Sequence, residues 1–261
     1  MRFGQIQGSA ECVRVLHLTD PHLFADRNGE LRGTVTYAAL QKVIAHYEAG
    51  GWQADVVALT GDLIQDDSAG AYAHCRDLLS RLDLPVHCVP GNHDVRSMMR
   101  DELPSPPFIY CGPAEFGNWL MVNIDSCSAG RAGGIITSDE ITRMQGIFAA
   151  STAEHVLVCL HHPPVLMGSA WLDTVGLENG EQFLGLLQVD GRVRLTIFGH
   201  VHQPYDADHG GVRVIATPST CRQFLPRSET FAVDERPPAY RRISLHADGA
   251  VDAELVWVDD A

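Results

Sequence analysis

Five short apolar runs in this chain break off in the same way. Leu16–Thr19 runs into Asp20-Pro21-His22, and Val56–Thr60 runs into Gly61-Asp62. Val86–Val89 runs into Pro90-Gly91-Asn92-His93-Asp94, Leu157–Leu160 into His161-His162-Pro163, and Leu195–Phe198 into Gly199-His200-Val201-His202. Apolar, β-branched runs of this length, bounded by Gly and Pro, read as buried strands. In an α/β sheet, sites form in the crevice outside the carboxyl ends of the strands. Five polar clusters at five such ends therefore converge on one crevice, which constrains the fold more than any other feature of the sequence.

The segments between them have helical period. Val35–Glu48, Ser68–Leu82, Ser138–Ala150 and Glu178–Val189 read as helices, alternating with strands at Cys12–Thr19, Asp55–Thr60, Pro85–Val89, Trp119–Ile124, His155–Leu160 and Arg194–Phe198. The rest turns mostly β, with strands expected at Val212–Thr217, Glu229–Val233, Tyr240–His246 and Val251–Val258. Alternating strands and helices with a strand-rich tail point to an α/β fold with mixed sheets. No linker or repeat interrupts the pattern, so one domain over 1–261 is expected, the segment at about 211–258 completing the sheets. Pro104–Pro113, with four prolines, is expected as a loop.

The polar residues at the strand ends are Asp, Asn and His, without cysteine. Carboxylate and imidazole suit Mn²⁺, Fe and Zn²⁺. His200 and His202, two apart, share a face in extended chain. Seven such side chains are more than the three a catalytic zinc takes from protein. They suit two metals sharing a carboxylate at roughly 3.5–4 Å separation. Each cluster alone is commonplace, since Asn-His-Asp is also an ordinary Asx turn. Their ordered recurrence after strands carries the inference. Gly61, Gly91 and Gly199 each precede a candidate ligand, where backbone must come close to the site.

Charge narrows the substrate. Nineteen Lys and Arg against 33 Asp and Glu leave a net charge of −14, with no basic cluster, which excludes a nucleic-acid polymer as the expected partner. If the chain handles phosphate at all, something other than net charge must make the site positive. The seven cysteines form no C-x-x-C pair and read as buried thiols of a reducing compartment. No apolar run approaches the ~20 residues of a membrane span. Residues 1–10 lack the pattern of a signal peptide, so a cytoplasmic location without membrane contact is expected.

The series Asp20-x-His22, Gly61-Asp62, Gly91-Asn92-His93-Asp94, His161-His162, Gly199-His200-x-His202 resembles the calcineurin-like metallophosphoesterases over residues 13–202. Further stretches are similar to the bacterial class III 3′,5′-cyclic AMP phosphodiesterases: Leu18–Ala25, Gly61–Asp66, Trp171-Leu172-Asp173, Ala216–Phe224 and Arg242–Gly249. The resemblance implies a four-layer α/β/β/α sandwich. It places Asp20, His22 and His202 on a first metal, Asn92, His161 and His200 on a second, and Asp62 on both. It favours His161 over its neighbour His162 as ligand. His93 is implied as the non-ligand catalytic histidine on the phosphate, and His22, Asp62, Asn92, His93 and His202 as contacts of the nucleotide. The metals implied are iron, manganese or both, with zinc also compatible with the donors.

The expected reaction is hydrolysis of 3′,5′-cyclic AMP to 5′-AMP by a metal-bridging hydroxide attacking phosphorus. The same chemistry on 2′,3′-cyclic nucleotides, glycerophosphodiesters or another phosphodiester, and a non-catalytic metal-binding scaffold, stand as alternatives, and a homodimer is left open. Loop 24–32 is a candidate cover for the site. Trp171 and Phe224 are expected in core packing rather than on a base, and no basic residue stands out for the ribose or phosphate.

Overall fold

The computed structural model describes residues 4–5, 12–103 and 105–259. The chain runs β1 (Gly4–Gln5), β2 (Cys12–Leu18), α1 (Thr36–Ala49), β3 (Val56–Thr60), α2 (Ala69–Leu79), β4 (Val86–Val89), α3 (Arg96–Glu102), β5 (Phe108–Tyr110), β6 (Ala114–Phe116) and β7 (Trp119–Asn123). It continues through α4 (Ser138–Ala150), β8 (His155–Cys159), α5 (Ala170–Asp173), α6 (Gly180–Val189), β9 (Val193–Phe198), β10 (Tyr205–His209), β11 (Val212–Ala216), β12 (Ala239–His246) and β13 (Val251–Trp257). Two small hairpins lie outside the main sheets, Glu30–Leu31 with Thr34–Val35 and Gln223–Phe224 with Val233–Asp234.

The main sheets have six strands in the order β13-β12-β2-β3-β4-β5 and seven in the order β1-β6-β7-β8-β9-β11-β10. Both have parallel centres: β2, β3 and β4 in one, β7, β8 and β9 in the other. Antiparallel strands from the C-terminal part of the chain extend both sheets, β12 beside β2 and β10 beside β11.

Alternation along the strands sorts side chains into layers. On β2, Leu16 and Leu18 pack towards α1 and α2, with Leu40, Val43, Ala71 and Leu78. Val13 and Val15 point the other way and meet Leu157, Cys159, Leu195 and Ile197 of the seven-stranded sheet. The outer face of that sheet, with Val156 and Val158, packs on Met144 and Ile147 of α4 and Phe183 and Leu187 of α6. The result is the α/β/β/α sandwich, with helices over the outer faces. Because both faces of the central strands are covered, β3, β4 and β8 are buried along their whole length and read as unbroken apolar runs. Ser68 caps α2 by accepting from Ala71 N at 3.2 Å, and Thr137 caps α4 by accepting from Glu140 N at 3.2 Å.

Two expected elements are corrected. The proline-rich stretch contains β5, which pairs parallel to β4. Pro107 supplies a carbonyl to Val86 N, and Phe108 supplies a fully apolar anchor. Pro104 itself lies outside the described residues. The strand expected at Glu229–Val233 is mostly loop, since only Val233 joins a ladder. Strand β10 was not expected, because Asp206 and Asp208 alternate on an edge that faces water. Cys75, Cys88, Cys127, Cys159 and Cys221 are buried thiols. Among the described residues no helix is long and apolar enough to cross a membrane.

Candidate active site

The polar ends of β2, β3 and β4 face those of β8 and β9 across the junction of the sheets. The chain reverses sharply there. Asp20, His22, Asp62, His200 and His202 have φ of 52°, 46°, 51°, 67° and 48°. A non-glycine residue in this left-handed region costs about 1–2 kcal/mol, a cost characteristic of functional sites. Cross-links between the loops hold the conformation: Asp20 N donates to Gly61 O at 3.0 Å and His22 N to Asp62 O at 3.0 Å. Two glycines permit the approach. A Cβ on Gly91 would collide with the Asp62 carboxylate and backbone, and one on Gly199 with Thr19 Oγ1 and Asp20 Oδ2.

The expected ligands gather into two adjoining groups. In the first, His22 Nε2 and His202 Nε2 lie 3.1 Å apart, and His202 Nε2 is 3.3 Å from Asp20 Oδ1. In the second, His161 Nε2 is 3.3 Å from Asn92 Oδ1 and 3.2 Å from His200 Nδ1. Asp62 stands between them, with Oδ2 3.6 Å from His22 Nε2 and Oδ1 3.4 Å from His161 Nε2.

The donor set fits metal ions, and the tautomers say why. His161 Nδ1 donates to Thr60 O at 2.7 Å, so Nε2 is the nitrogen turned to the Asp62 and Asn92 oxygens and the His200 nitrogen. His202 Nδ1 donates to Arg222 O, leaving its Nε2 lone pair towards Asp20 and His22. Acceptors converging on acceptors call for a cation. The charges agree. Burial works against ionisation of Asp62, yet the imidazoles of His161, His22 and His93 hold its carboxyl well below the usual range. Burial likewise opposes charge on Asp20, and His202 keeps it lowered. Burial pushes His22 down to about 4 and His200 to about 3, which leaves both neutral and able to ligate. Burial also disfavours charge on His161, but Asp62 raises it to about 9, so without an ion Nε2 carries a proton towards the Asp62 and Asn92 oxygens, and a metal ion held there would take that proton's place.

His162 is occupied elsewhere. Its Nδ1 accepts from Ser126 Oγ at 2.8 Å and its Nε2 donates to Ala132 O at 3.1 Å. Asp94 does not orient the His93 ring. It accepts from Gly91 N at 2.8 Å, Leu63 N at 3.2 Å and Tyr72 Oη at 2.9 Å, which ties the loop to α2. Burial and the nearby Asp62 charge raise Asp94 to about 7. His93 N donates to Asp62 Oδ1 at 2.9 Å, and its half-buried ring stands edge-on to His22 with centroids 5.1 Å apart.

The family model for calcineurin-like phosphoesterases matches residues 13–204, a span that contains every residue of both groups. The chain belongs to that family. It is 35% identical to the 3′,5′-cyclic adenosine monophosphate phosphodiesterase CpdA of Vibrio vulnificus, over 95% of this chain and 90% of the relative. It is 34% identical to the CpdA of Pseudomonas aeruginosa, over 95% of this chain and 91% of the relative. The fold is shared with the crystal structure of TT1561 of Thermus thermophilus, at a TM-score of 0.64 and 17% identity over 95% of this chain and 99% of the other.

The phosphoesterase cleft above the two groups has a volume of about 270 Å³. Its lining includes Asp62, Asn92, His93, His200 and His202 at the floor, with Gln65, Trp171, Phe224 and Phe231 rising beside them. Trp171 does pack partly against the core, as expected, but it and Phe224 also face the cleft. Loop 24–32 reaches the rim through Leu31 and Arg32, and Arg32 puts a guanidinium there that the sequence did not single out. Its guanidinium lies over the Phe231 ring, 4.9 Å from the centroid. Gln65 and Phe231 were missed as well. Gln65 is three residues past Asp62 and so follows a recognisable cluster, whereas Phe231 has no such marker.

Proposed function

We propose that this phosphoesterase hydrolyses 3′,5′-cyclic AMP to 5′-AMP with two divalent metals, iron or manganese in preference to zinc. The observation that carries the reading is the complete set of seven donors in a chain similar to CpdA phosphodiesterases over nearly its whole length. Asp20, His22 and His202 would hold one ion and Asn92, His161 and His200 the other, with Asp62 between them. One phosphoesterase domain would span 1–261.

When bound, two such ions supply Lewis acidity towards phosphate oxygens and lower the pKa of water, which provides a nucleophile at neutral pH. The protein residues set the rest. Thr60 O and Arg222 O fix His161 and His202 through their far nitrogens, so each ring presents its other nitrogen without rearrangement. His93, tied by its backbone to Asp62 and half-buried in the cleft, would give a hydrogen bond or proton to the leaving 3′-oxygen. A phosphomonoester carries about −1.5 to −2 charge near neutral pH, more than the diester, so 5′-AMP should inhibit.

The test is turnover by protein loaded with Mn²⁺ or Fe²⁺ on 3′,5′-cyclic AMP, 2′,3′-cyclic AMP and an aryl phosphodiester, each with a chelator control. Chelator-sensitive hydrolysis favouring 3′,5′-cyclic AMP is expected. Rapid cleavage of the other two, with little 3′,5′-cyclic AMP turnover, would overturn the substrate assignment and leave the metal centre standing.

A further inference from the structure

Next to the metal-ligand groups stands an aromatic surface that phosphoester chemistry does not need. Phe224 stacks on His202 with centroids 4.1 Å apart and planes 7° from parallel. Trp171 and Phe231 meet Phe224 edge-on at 5.4 Å and 5.2 Å, and meet each other at 5.1 Å. The three rings thus form one mutually contacting cluster, joined to a candidate ligand through Phe224 and lining the cleft. Phe231 is 41% exposed, so it is not simply core. Among the buried polar atoms, Gln65 Oε1 and Trp171 Nε1 have no hydrogen-bond partner, and both residues line this cleft. Buried polar atoms are normally paired, so an orphan acceptor and an orphan donor on two residues of one cleft wall, neither open to water as the side chains stand, call for an explanation.

We infer that Trp171, Phe224 and Phe231 form the wall on which the nucleobase of the substrate rests, and that the Gln65 and Trp171 side chains turn on binding so that Gln65 Oε1 and Trp171 Nε1–H read its edge. This rests on the cyclic-nucleotide reading above. A base has a flat apolar face, which suits the rings, and a polar rim, which suits the two orphan atoms. Adenine supplies what they lack: its exocyclic amine donates to Gln65 Oε1, and a ring nitrogen accepts from the indole N–H. Guanine puts a carbonyl where adenine has the amine, which pairs with Gln65 only after the amide turns over. Arg32, above Phe231, closes the outer end of the wall as a cation that also stacks on π-faces.

The experiment measures binding of 5′-AMP and of ribose 5-phosphate to the metal-loaded protein by calorimetry, alongside cyclic AMP turnover. Wild type, Phe231→Ala, Trp171→Phe and Gln65→Leu are compared. Wild type is expected to bind 5′-AMP at least about tenfold more tightly than ribose 5-phosphate. Phe231→Ala should erase most of that ratio, the loss falling on 5′-AMP. Trp171→Phe keeps a ring but loses the donor, and Gln65→Leu keeps the volume but loses the acceptor, so each should lower the ratio about fivefold. Gln65→Leu should also reduce preference for 5′-AMP over 5′-GMP. Equal binding of the two ligands by wild type, or variants that weaken both ligands together, would overturn the wall. A wild type that prefers 5′-AMP but does not turn over cyclic AMP would keep the wall and overturn the proposed function instead.

Discussion

Floor and wall of the cleft are held in place differently. At the floor, Asp20 and His161 are fully buried and His202 is 1% exposed. Each is fixed by a directional bond. Thr19 Oγ1 donates to Asp20 Oδ2 at 2.6 Å, while the rings of His161 and His202 donate to backbone carbonyls. At the wall, ring edges and a cation over a ring do the positioning, and Phe231 is partly in water. Directional bonds between fully buried groups leave no freedom, because a displaced acceptor loses its partner and gains no solvent. Apolar contact is non-directional and tolerates exchange of similar rings. Changes at the floor should therefore abolish turnover, whereas changes at the wall should grade affinity.

Asp62→Ala is the strongest way to break that contrast. It removes the carboxylate facing both histidine groups, whose oxygens stand 3.6 Å from His22 and 3.4 Å from His161. Several kcal/mol of transition-state stabilisation depend on a complete centre, so turnover should fall on the order of 10³-fold or more, with metal lost. Metal analysis beside the assay checks both. A variant that kept two metals and near-normal rate would show that the floor is not the reaction centre.

His93→Ala sharpens the contrast within the floor. No hydrogen bond joins its ring to the buried ligands: a ring nitrogen lies within 4.8 Å of a His22 nitrogen and an Asp62 oxygen, and the bond to Asp62 Oδ1 comes from its backbone N. Metal content should stay at the wild-type level while turnover falls about 10²–10⁴-fold, the usual contribution of a proton donor. A leaving group that needs no proton, such as a nitrophenolate, should recover much of the loss. If His93→Ala lost metal as Asp62→Ala does, His93 would belong with the ligands.

The same contrast explains what could be read before the fold was seen. The floor residues follow strands, and a strand end is visible in sequence as an apolar run stopped by Gly, Asp or His. The sheet then brings together Asp20 and His200, 180 residues apart, with His200 N donating to both Asp20 oxygens. The choice between His161 and His162 was not readable from spacing, since adjacent histidines look alike. The Ser126 and Ala132 bonds of His162 exist only in the folded chain. The wall was harder still. Phe231 lies in a stretch whose alternation imitated a strand, and Arg32 comes from a turn and Trp171 from the short helix α5, with no shared pattern. Non-directional contacts impose no residue spacing, so they leave no motif.

Acid offers the gentlest separation of the two regions, since the ring contacts of the wall do not titrate. Beneath the floor, His17 bridges Thr60 Oγ1 and Thr217 Oγ1 at 2.7 Å each, and burial with the Arg241 charge lowers it from 6.5 to about 3. Deeper in the sheet junction, His87 accepts from Asn123 Nδ2 at 3.2 Å, and burial lowers it from 6.5 to about 4. Both are neutral in the fold and take up a proton when the chain unfolds at acid pH. Their contribution is complete above about 6.5 and is lost as pH falls from there towards the folded values. At about pH 5 each withheld proton costs about 2 kcal/mol. His87→Leu removes one such group without touching a candidate ligand. Compared at equal metal loading, it should narrow the Tm drop between about pH 7 and about pH 5 by roughly 4–8 °C. It should also cost a little stability at neutral pH, because one Asn123 N–H loses its acceptor. A drop identical to wild type would mean that His87 is already protonated in the fold, or that acid acts elsewhere, and would remove the sheet junction as the acid-sensitive layer.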